Sequence, residues 1–454
     1  MAEKSRVRRV TFVLMLALLM VGGALTWIAV KWPRQSLREI PDEKNAGVLW
    51  QKITHPSNDL ETRIEMMAQV FEMEGWQLPP EWKRLQLVRP FNFLDAQVWA
   101  KVARVVAVFR MIEGKRDEAL RIAASTFRMG QLMKSSQALV IRLVGTACQS
   151  IAGSALEVYA LNACETEAEI RQLWDMLDRL ERSENRYTVD VVRDGESTLF
   201  DWWPPWRFRL TRDRFEKAVT YMDLSTAKFE LLRMAAAARY CLIATGELPA
   251  GPNELGPLLP SGPPTDPFSG KPLLSRRTSD SLLCWSVGPD ARDGSAATVY
   301  DPTNGTISPG DVLLQVPRER RYPFPRQGVR ADGLEDLLRQ FPNGFPADPF
   351  ATNRGRGLSA AESADGRVYV WSFGPDVDEY KTPNPLTFFP VPTTGTFLFP
   401  SVISVPYGPP PPHRLQVPYD PTNGTVSEGD LFIPIPRKAK DEGPKGNGQR
   451  KTDN

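Results

Sequence analysis

The sequence predicts an α+β protein: an N-terminal transmembrane helix, then an all-α helical-hairpin domain, then two small antiparallel-β modules. Three observations carry this. "VTFVLMLALLMVGGALTWIAV", Val10–Val30, runs 21 residues without a charge. Only eight of the 41 prolines precede residue 249, and none lies between Phe91 and Trp203; proline breaks helix interiors, so the first half suits helices and the second does not. The string "YDPTNGTISPGD" (300–311) returns as "YDPTNGTVSEGD" (419–430) with ten of twelve positions identical.

In chain order, residues 1–9 are expected as a cytoplasmic flank carrying Lys4, Arg6, Arg8 and Arg9. Residues 10–30, as a helix, are long enough to cross a hydrocarbon core of about 30 Å. Trp27 and Trp32 stand near the far end, where interfacial aromatics are favoured. The alternative is a cleaved signal peptide, because Gly22 and Ala24 offer a small-x-small site. Either reading places residues 33–454 outside the cytoplasm. The retained helix gives a single-pass protein of the inner (cytoplasmic) membrane. Net charge is only +2 with scattered basic residues, so nucleic acid is not expected as a partner. Residues 437–454 are expected to be a disordered tail.

Residues 33–220 are expected to be all-α. Val98, Val102, Val105, Phe109 and Ile112 recur at helical spacing, and Gly114 ends that helix. "RDEALRIAASTFRMGQLM" starts the next with Asp117 and Glu118 in its first turn. A long helix follows over roughly 136–161. Another opens at "TEAEIRQLW" with Thr166 as cap beside Glu165, Glu167 and Glu169. The step from Gly114 to Ala119 is similar to one tetratricopeptide unit, but no 34-residue period repeats it. "DWWPPWRFRL" (201–210) is expected to interrupt the helices. Its Trp202, Trp203 and Trp206 would plug a joint between domains, touch a membrane surface or stack on a sugar. Cys148, Cys164, Cys241 and Cys284 have no CxxC spacing. They are read as buried thiols, with Cys148–Cys164 the pairing worth testing.

A last helix, about 224–245, is closed by Gly246. It opens β module 1, residues 221–316. Residues 317–436 form a degenerate module 2 with a Pro-rich insertion over 377–418. Each module begins Asp-Pro-Phe (Asp266, Asp348), passes through Trp-Ser-x-Gly-Pro-Asp (Trp285, Trp371) and ends at Gly-Asp (Asp311, Asp430). Asn-Gly within the dodecamer is a strong hairpin-turn signal.

The run from that helix through "GELPAGPNELGPLLPSGPPTDPFSGKPL" to "WSVGPD" resembles the head of the major pseudopilin of type II secretion systems. The likeness covers about residues 224–314, with a second, degenerate copy to about 433. It implies pseudopilin-head-like β modules, and calcium held in an acidic loop. By position, the implied ligands are Asp290 and Asp293, with Asp376 and Asp378 in copy two and Asp301, Asp311, Asp420 and Asp430 nearby. Ca²⁺ takes six to eight oxygens, which closely spaced Asp residues in loops can supply. The competing reading is that these Asp residues cap their own turns. Two departures stand out. There is no prepilin leader, since the apolar segment lacks an early Glu, and about 190 residues separate it from the matching helix. The chain is therefore not expected to polymerise as a pilin.

No catalytic motif stands out. His55 and His413 sit in proline-flanked loops of different halves, which disfavours a triad or zinc site. The chain is therefore read as a non-enzyme, without a catalytic residue or organic cofactor. The expected role is a non-catalytic binding or assembly function in the bacterial envelope, with Ca²⁺ as a stabilising ion and envelope or secretion-system proteins as partners. An anchored or secreted hydrolase and a purely structural envelope component are the alternatives.

Overall fold

The computed structural model describes residues 40–55, 57–77, 93–136, 139–182, 205–259, 262–301, 308–351, 356–362, 366–372 and 431–438. Residues 43–454 group as one compact unit, separate from 1–42; everything below lies in the larger one. Its helices are α1 (Ala46–Ile53), α2 (Leu60–Met67), α3 (Phe93–Ile112), α4 (Arg116–Lys134), α5 (Leu139–Val158), α6 (Glu167–Arg182), α7 (Pro205–Thr245), α8 (Pro252–Leu255) and α9 (Leu334–Gln340). Strands β1 (Leu274–Arg277), β2 (Ser281–Ser286) and β3 (Val312–Pro317) form one sheet. Strands β4 (Ser359–Glu362), β5 (Val368–Ser372) and β6 (Leu431–Ile435) form another.

Local chemistry sets the helix starts. The Asn45 side chain accepts from Gly47 N at 2.9 Å to cap α1, and Asp59 accepts from Thr62 N at 2.8 Å to cap α2. At α6 a capping box forms: Thr166 Oγ1 accepts from Glu169 N at 3.4 Å while Glu169 Oε2 accepts from Thr166 N at 3.0 Å. Between α5 and α6 the chain makes a π turn, Tyr159–Ala163, so the helix expected over 136–161 ends earlier as a regular α-helix. α7 begins at Pro205, because proline is favoured in a first helical turn. The expected interruption at 201–210 therefore lies partly inside a helix. Residues 201–204, with Trp202 and Trp203, fall outside the described residues.

α4 and α5 cross at two glycines. A Cβ on Gly130 would stand 2.6 Å from Gly145 O, so only glycine allows this approach. α7 is buried on two faces, which explains why it is not amphipathic. Phe229, Leu232 and Ala236 join the core of α3–α6, while Leu231, Met234, Ala235 and Ala238 face the first sheet. That sheet contributes Leu282, Cys284, Val312, Leu314 and Val316 to its own cluster. The second sheet packs differently. Val368, Val370, Leu431, Ile433 and Ile435 share one buried cluster with Trp99, Val102 and Phe109 of α3. Two equivalent sheets thus serve two different cores.

The two sheets match strand for strand. Both are antiparallel, in the orders β1-β2-β3 and β4-β5-β6, with Leu274 opposite Trp285 in one and Ser359 opposite Trp371 in the other. The repeated Asp-Pro-Phe and Trp-Ser motifs meet within each module. Asp266 Oδ1 accepts from Ser286 Oγ at 2.9 Å and from Phe268 N at 3.0 Å, and its Oδ2 accepts from Val287 N at 3.0 Å. Asp348 Oδ1 accepts from Ser372 Oγ at 2.8 Å and Phe350 N at 2.9 Å. Both carboxylates are buried. Each ties the turn before the sheet to the end of the central strand.

The segment 318–329 joins the modules and is clamped to the helices. Arg116, with a side chain 5% exposed, bonds Glu169 at 2.7 Å, Glu165 at 3.2 Å and the carbonyl of Phe324 at 2.5 Å. Arg320 pairs with Glu165, and Arg326 meets Glu169 at 3.1 Å. Asn162 in the π turn accepts from Tyr322 N at 2.9 Å, and Val329 N donates to Ile112 O at 2.7 Å. Gly114 and Gly328, both at positive φ, permit the closest approach; a Cβ on Gly328 would stand 2.6 Å from Glu113 O. Burial pushes the Glu165 and Glu169 carboxyls up. Hydrogen bonds outweigh it, from Arg320 and Arg116 at Glu165 and from the Glu165 amide and Arg116 at Glu169, so both lie below the ordinary glutamate value.

Two expectations are corrected here. Among the described residues no helix is long and apolar enough to cross a membrane, and Val10–Val30 lies outside them. The longest helix among the described residues, α7, carries Arg207, Arg209, Arg212, Asp213, Arg214, Glu216 and Lys217 in its first turns, a density of charge that a bilayer core does not accept. The single-pass inner-membrane placement and the membrane as a partner are accordingly withdrawn. The expected fold class is corrected as well: the described residues form a mixed α+β unit with two small open sheets, and neither sheet closes into a pseudopilin-like barrel. All four cysteines are free thiols; Cys148, Cys164 and Cys284 are buried, as the thiol reading has it, and Cys241 is half-buried. Burial pushes the thiols of Cys148, Cys164 and Cys284 up to about 12.

Candidate functional site

The acidic loop of module 1 is organised by one buried side chain. Asp311, fully buried at the start of β3, accepts from Gly294 N at 3.2 Å through Oδ1 and from Ala296 N at 2.8 Å through Oδ2. Asp293 Oδ1 accepts from the Trp285 indole at 3.1 Å and from Ser295 N at 2.7 Å. Asp290 Oδ1 accepts from Arg292 N at 3.2 Å. Ala291, Ser295 and Ala296 all have positive φ, a conformation that costs about 1–2 kcal/mol for each non-glycine residue. The carboxylate bonds of Asp311 and Asp293 offset that cost.

The loop thus brings Asp293 and Asp311 onto one stretch of backbone, whereas Asp301 is exposed beyond it. Among the described residues no three His, Cys, Asp or Glu side chains come together as a group that could hold a metal ion. Both Asp311 oxygens already take N–H donors, which is the chemistry of a turn anchor. Asp376, Asp378, Asp420 and Asp430 lie outside the described residues, as do the Asn-Gly turns of both dodecamers. His413 does too. His55 is exposed, and its Nδ1 lies 2.7 Å from Ser57 Oγ within its own turn.

A different site emerges where the helical core meets the first sheet. Phe127 of α4, one face of α5, Lys228 and Phe229 of α7, and Leu313 and Leu314 of β3 line a cavity of about 130 Å³. The α5 face is polar and small: Gln149, Gly153 and Glu157 recur every four residues, with Ser150 and Ser154 between. The α4–α5 crossing presses the Gln149 side chain against Gly130. Gln149 is 1% exposed, and its Oε1 is buried with no hydrogen-bond partner among the described residues. An unmade hydrogen bond on a buried acceptor costs about 1–3 kcal/mol. Burial pushes the Glu157 carboxyl up, against the pull of Lys228 and Arg104.

Gly153 is the second unusual residue. Unlike Gly130 and Gly145, it has room: a Cβ there would touch only the Phe127 ring edge, at 3.7 Å. Glycine inside a helix costs about 1 kcal/mol relative to alanine. What it preserves is the opening of this cavity. The Phe127 and Phe229 rings, 5.0 Å apart and tilted by 30°, close the apolar side. The sequence held a signal for this site in the four-residue recurrence of Gln149, Gly153 and Glu157. Read as a helix alone, that stripe passes as an ordinary polar face.

No protein family, no curated protein and no solved structure matches this chain. The resemblance to the type II secretion pseudopilin is corrected on that ground, and with it the expected role as an anchored envelope protein with secretion-system partners.

Proposed function

We propose that this chain is a non-catalytic binding protein for a small primary amine, held in the α4–α5–α7–β3 cavity. The observation that carries the reading is the buried, unpartnered Oε1 of Gln149, a residue that lines this cavity together with Glu157. The Gln149 acceptor and two phenyl rings suit an amine donor, with Glu157 shared between that amine and Lys228. A volume near 130 Å³ suits about four to six heavy atoms, by comparison with a cavity of about 150 Å³ that takes benzene.

The test is calorimetry and thermal melting of the full chain with ethanolamine, putrescine and matched neutral alcohols. Saturable binding of an amine, a rise in Tm that grows with its concentration, and loss of both in Gly153→Leu are expected. Equal responses to amines and alcohols, or unchanged amine binding in Gly153→Leu, would remove the reading.

A further inference from the structure

A second cavity, of about 310 Å³, lies between α6 and α7 and is lined by Arg171, Trp174, Asp175, Asp178, Arg233 and Leu259. It shares no lining residue with the amine cavity and is argued independently. Arg233 is buried, and its Nη1 bonds Glu181 at 2.9 Å and Glu230 at 2.8 Å. Its Nη2 is also buried, yet among the described residues it has no hydrogen-bond partner. The indole Nε1 of Trp174 is in the same condition. Two buried N–H donors, on residues that line the cavity from its two opposite helices, call for acceptor atoms from a ligand.

Charge decides which acceptor. The lining carries two carboxylates, Asp175 and Asp178, against two guanidinium groups, Arg171 and Arg233. The cavity therefore has no net charge to draw an anion. Asp175 and Asp178 supply acceptors from α6, so the ligand must donate as well as accept. A hydroxyl group does both. Leu177 and Leu259 add apolar surface, and the Trp174 ring is held by Tyr240 at 5.0 Å. We propose that this cavity binds one neutral, hydroxyl-rich unit the size of a hexose.

The experiment is saturation-transfer NMR and calorimetry on the full chain with glucose, galactose, mannose and inositol, with inorganic phosphate as the anionic probe. At least one polyol is expected to bind saturably. Trp174→Phe keeps a ring against Tyr240 but removes the N–H, and is expected to weaken that binding roughly 5- to 10-fold, the worth of one net hydrogen bond. Gly153→Leu is expected to leave it unchanged. Non-specific stabilisation by sugar would act equally on both proteins, so equal responses in wild type and Trp174→Phe overturn the proposal. So does saturable binding of phosphate in place of every polyol, or no saturable polyol binding at all.

Discussion

Arg116→Ala tests whether the 318–329 segment is held by one buried cation. The Arg116 side chain is 5% exposed and joins two carboxylates and a backbone carbonyl from three parts of the chain. Removing one partner of a buried ion pair costs about 3–5 kcal/mol, mainly because the remaining charges are left without compensation. Here Glu165 keeps Arg320 and Glu169 keeps Arg326, which argues for the lower end, about 3 kcal/mol. At about 2 °C per kcal/mol for a chain of this size or somewhat less, Tm should fall by about 6 °C. Arg326→Ala is the internal control. Its side chain is 52% exposed, and exposed pairs contribute about 0–1 kcal/mol. Circular dichroism melts give both values, and limited proteolysis reports whether cleavage between Arg318 and Arg330 rises. If Arg116→Ala melts within 2 °C of wild type, or Arg326→Ala costs as much, the buried-latch reasoning is refuted.

Four further outcomes are expected. Asp266→Ala should cost roughly 3 kcal/mol, because it strands the donors of Phe268, Ser286 and Val287; urea unfolding that shows a loss under about 1 kcal/mol would contradict the assignment. Glu165 and Glu169 are depressed in the fold, so the stability they supply is present above the unfolded glutamate value and lost as pH falls through their folded values. Tm of the wild type should therefore drop more steeply below about pH 4.5 than that of Glu165→Gln/Glu169→Gln, while Glu157, shifted the other way, is relieved by acid. Millimolar CaCl₂ should move Tm by less than about 1 °C, since turn amides already occupy Asp311; a saturable rise that Asp293→Asn abolishes would return calcium to the loop. Iodoacetamide at pH 8 should leave native Cys148, Cys164 and Cys284 unlabelled, their thiols standing near 12, and mass spectrometry before and after unfolding checks this.

Much of the helical half was legible because its signals are local. Thr166 three residues before Glu169 is a capping box in sequence and in space, and Gly114 ends α3 with φ +80. α7 was only half legible. Pro205 reads as a breaker until it is placed in a first turn, where its missing N–H costs nothing. The acidic loop was legible as a loop but not in its partners, since only the tertiary structure sets Asp311 against the Gly294 and Ala296 amides.

The amino-acid order alone determined where proline stops helices, where caps begin them and that two Asp-Pro-Phe/Trp-Ser modules share one plan. Those are consequences of backbone sterics and hydrogen bonding within a few residues. Tertiary structure decided what each module leans on: α7 for the first sheet, α3 for the second. It also decided that Gly130 meets Gly145, which positions Gln149, and that Arg233 and Trp174, lining one cavity, each keep a buried donor without a partner. These depend on contacts between residues far apart in the chain, and no local pattern encodes whether a buried polar atom finds its partner.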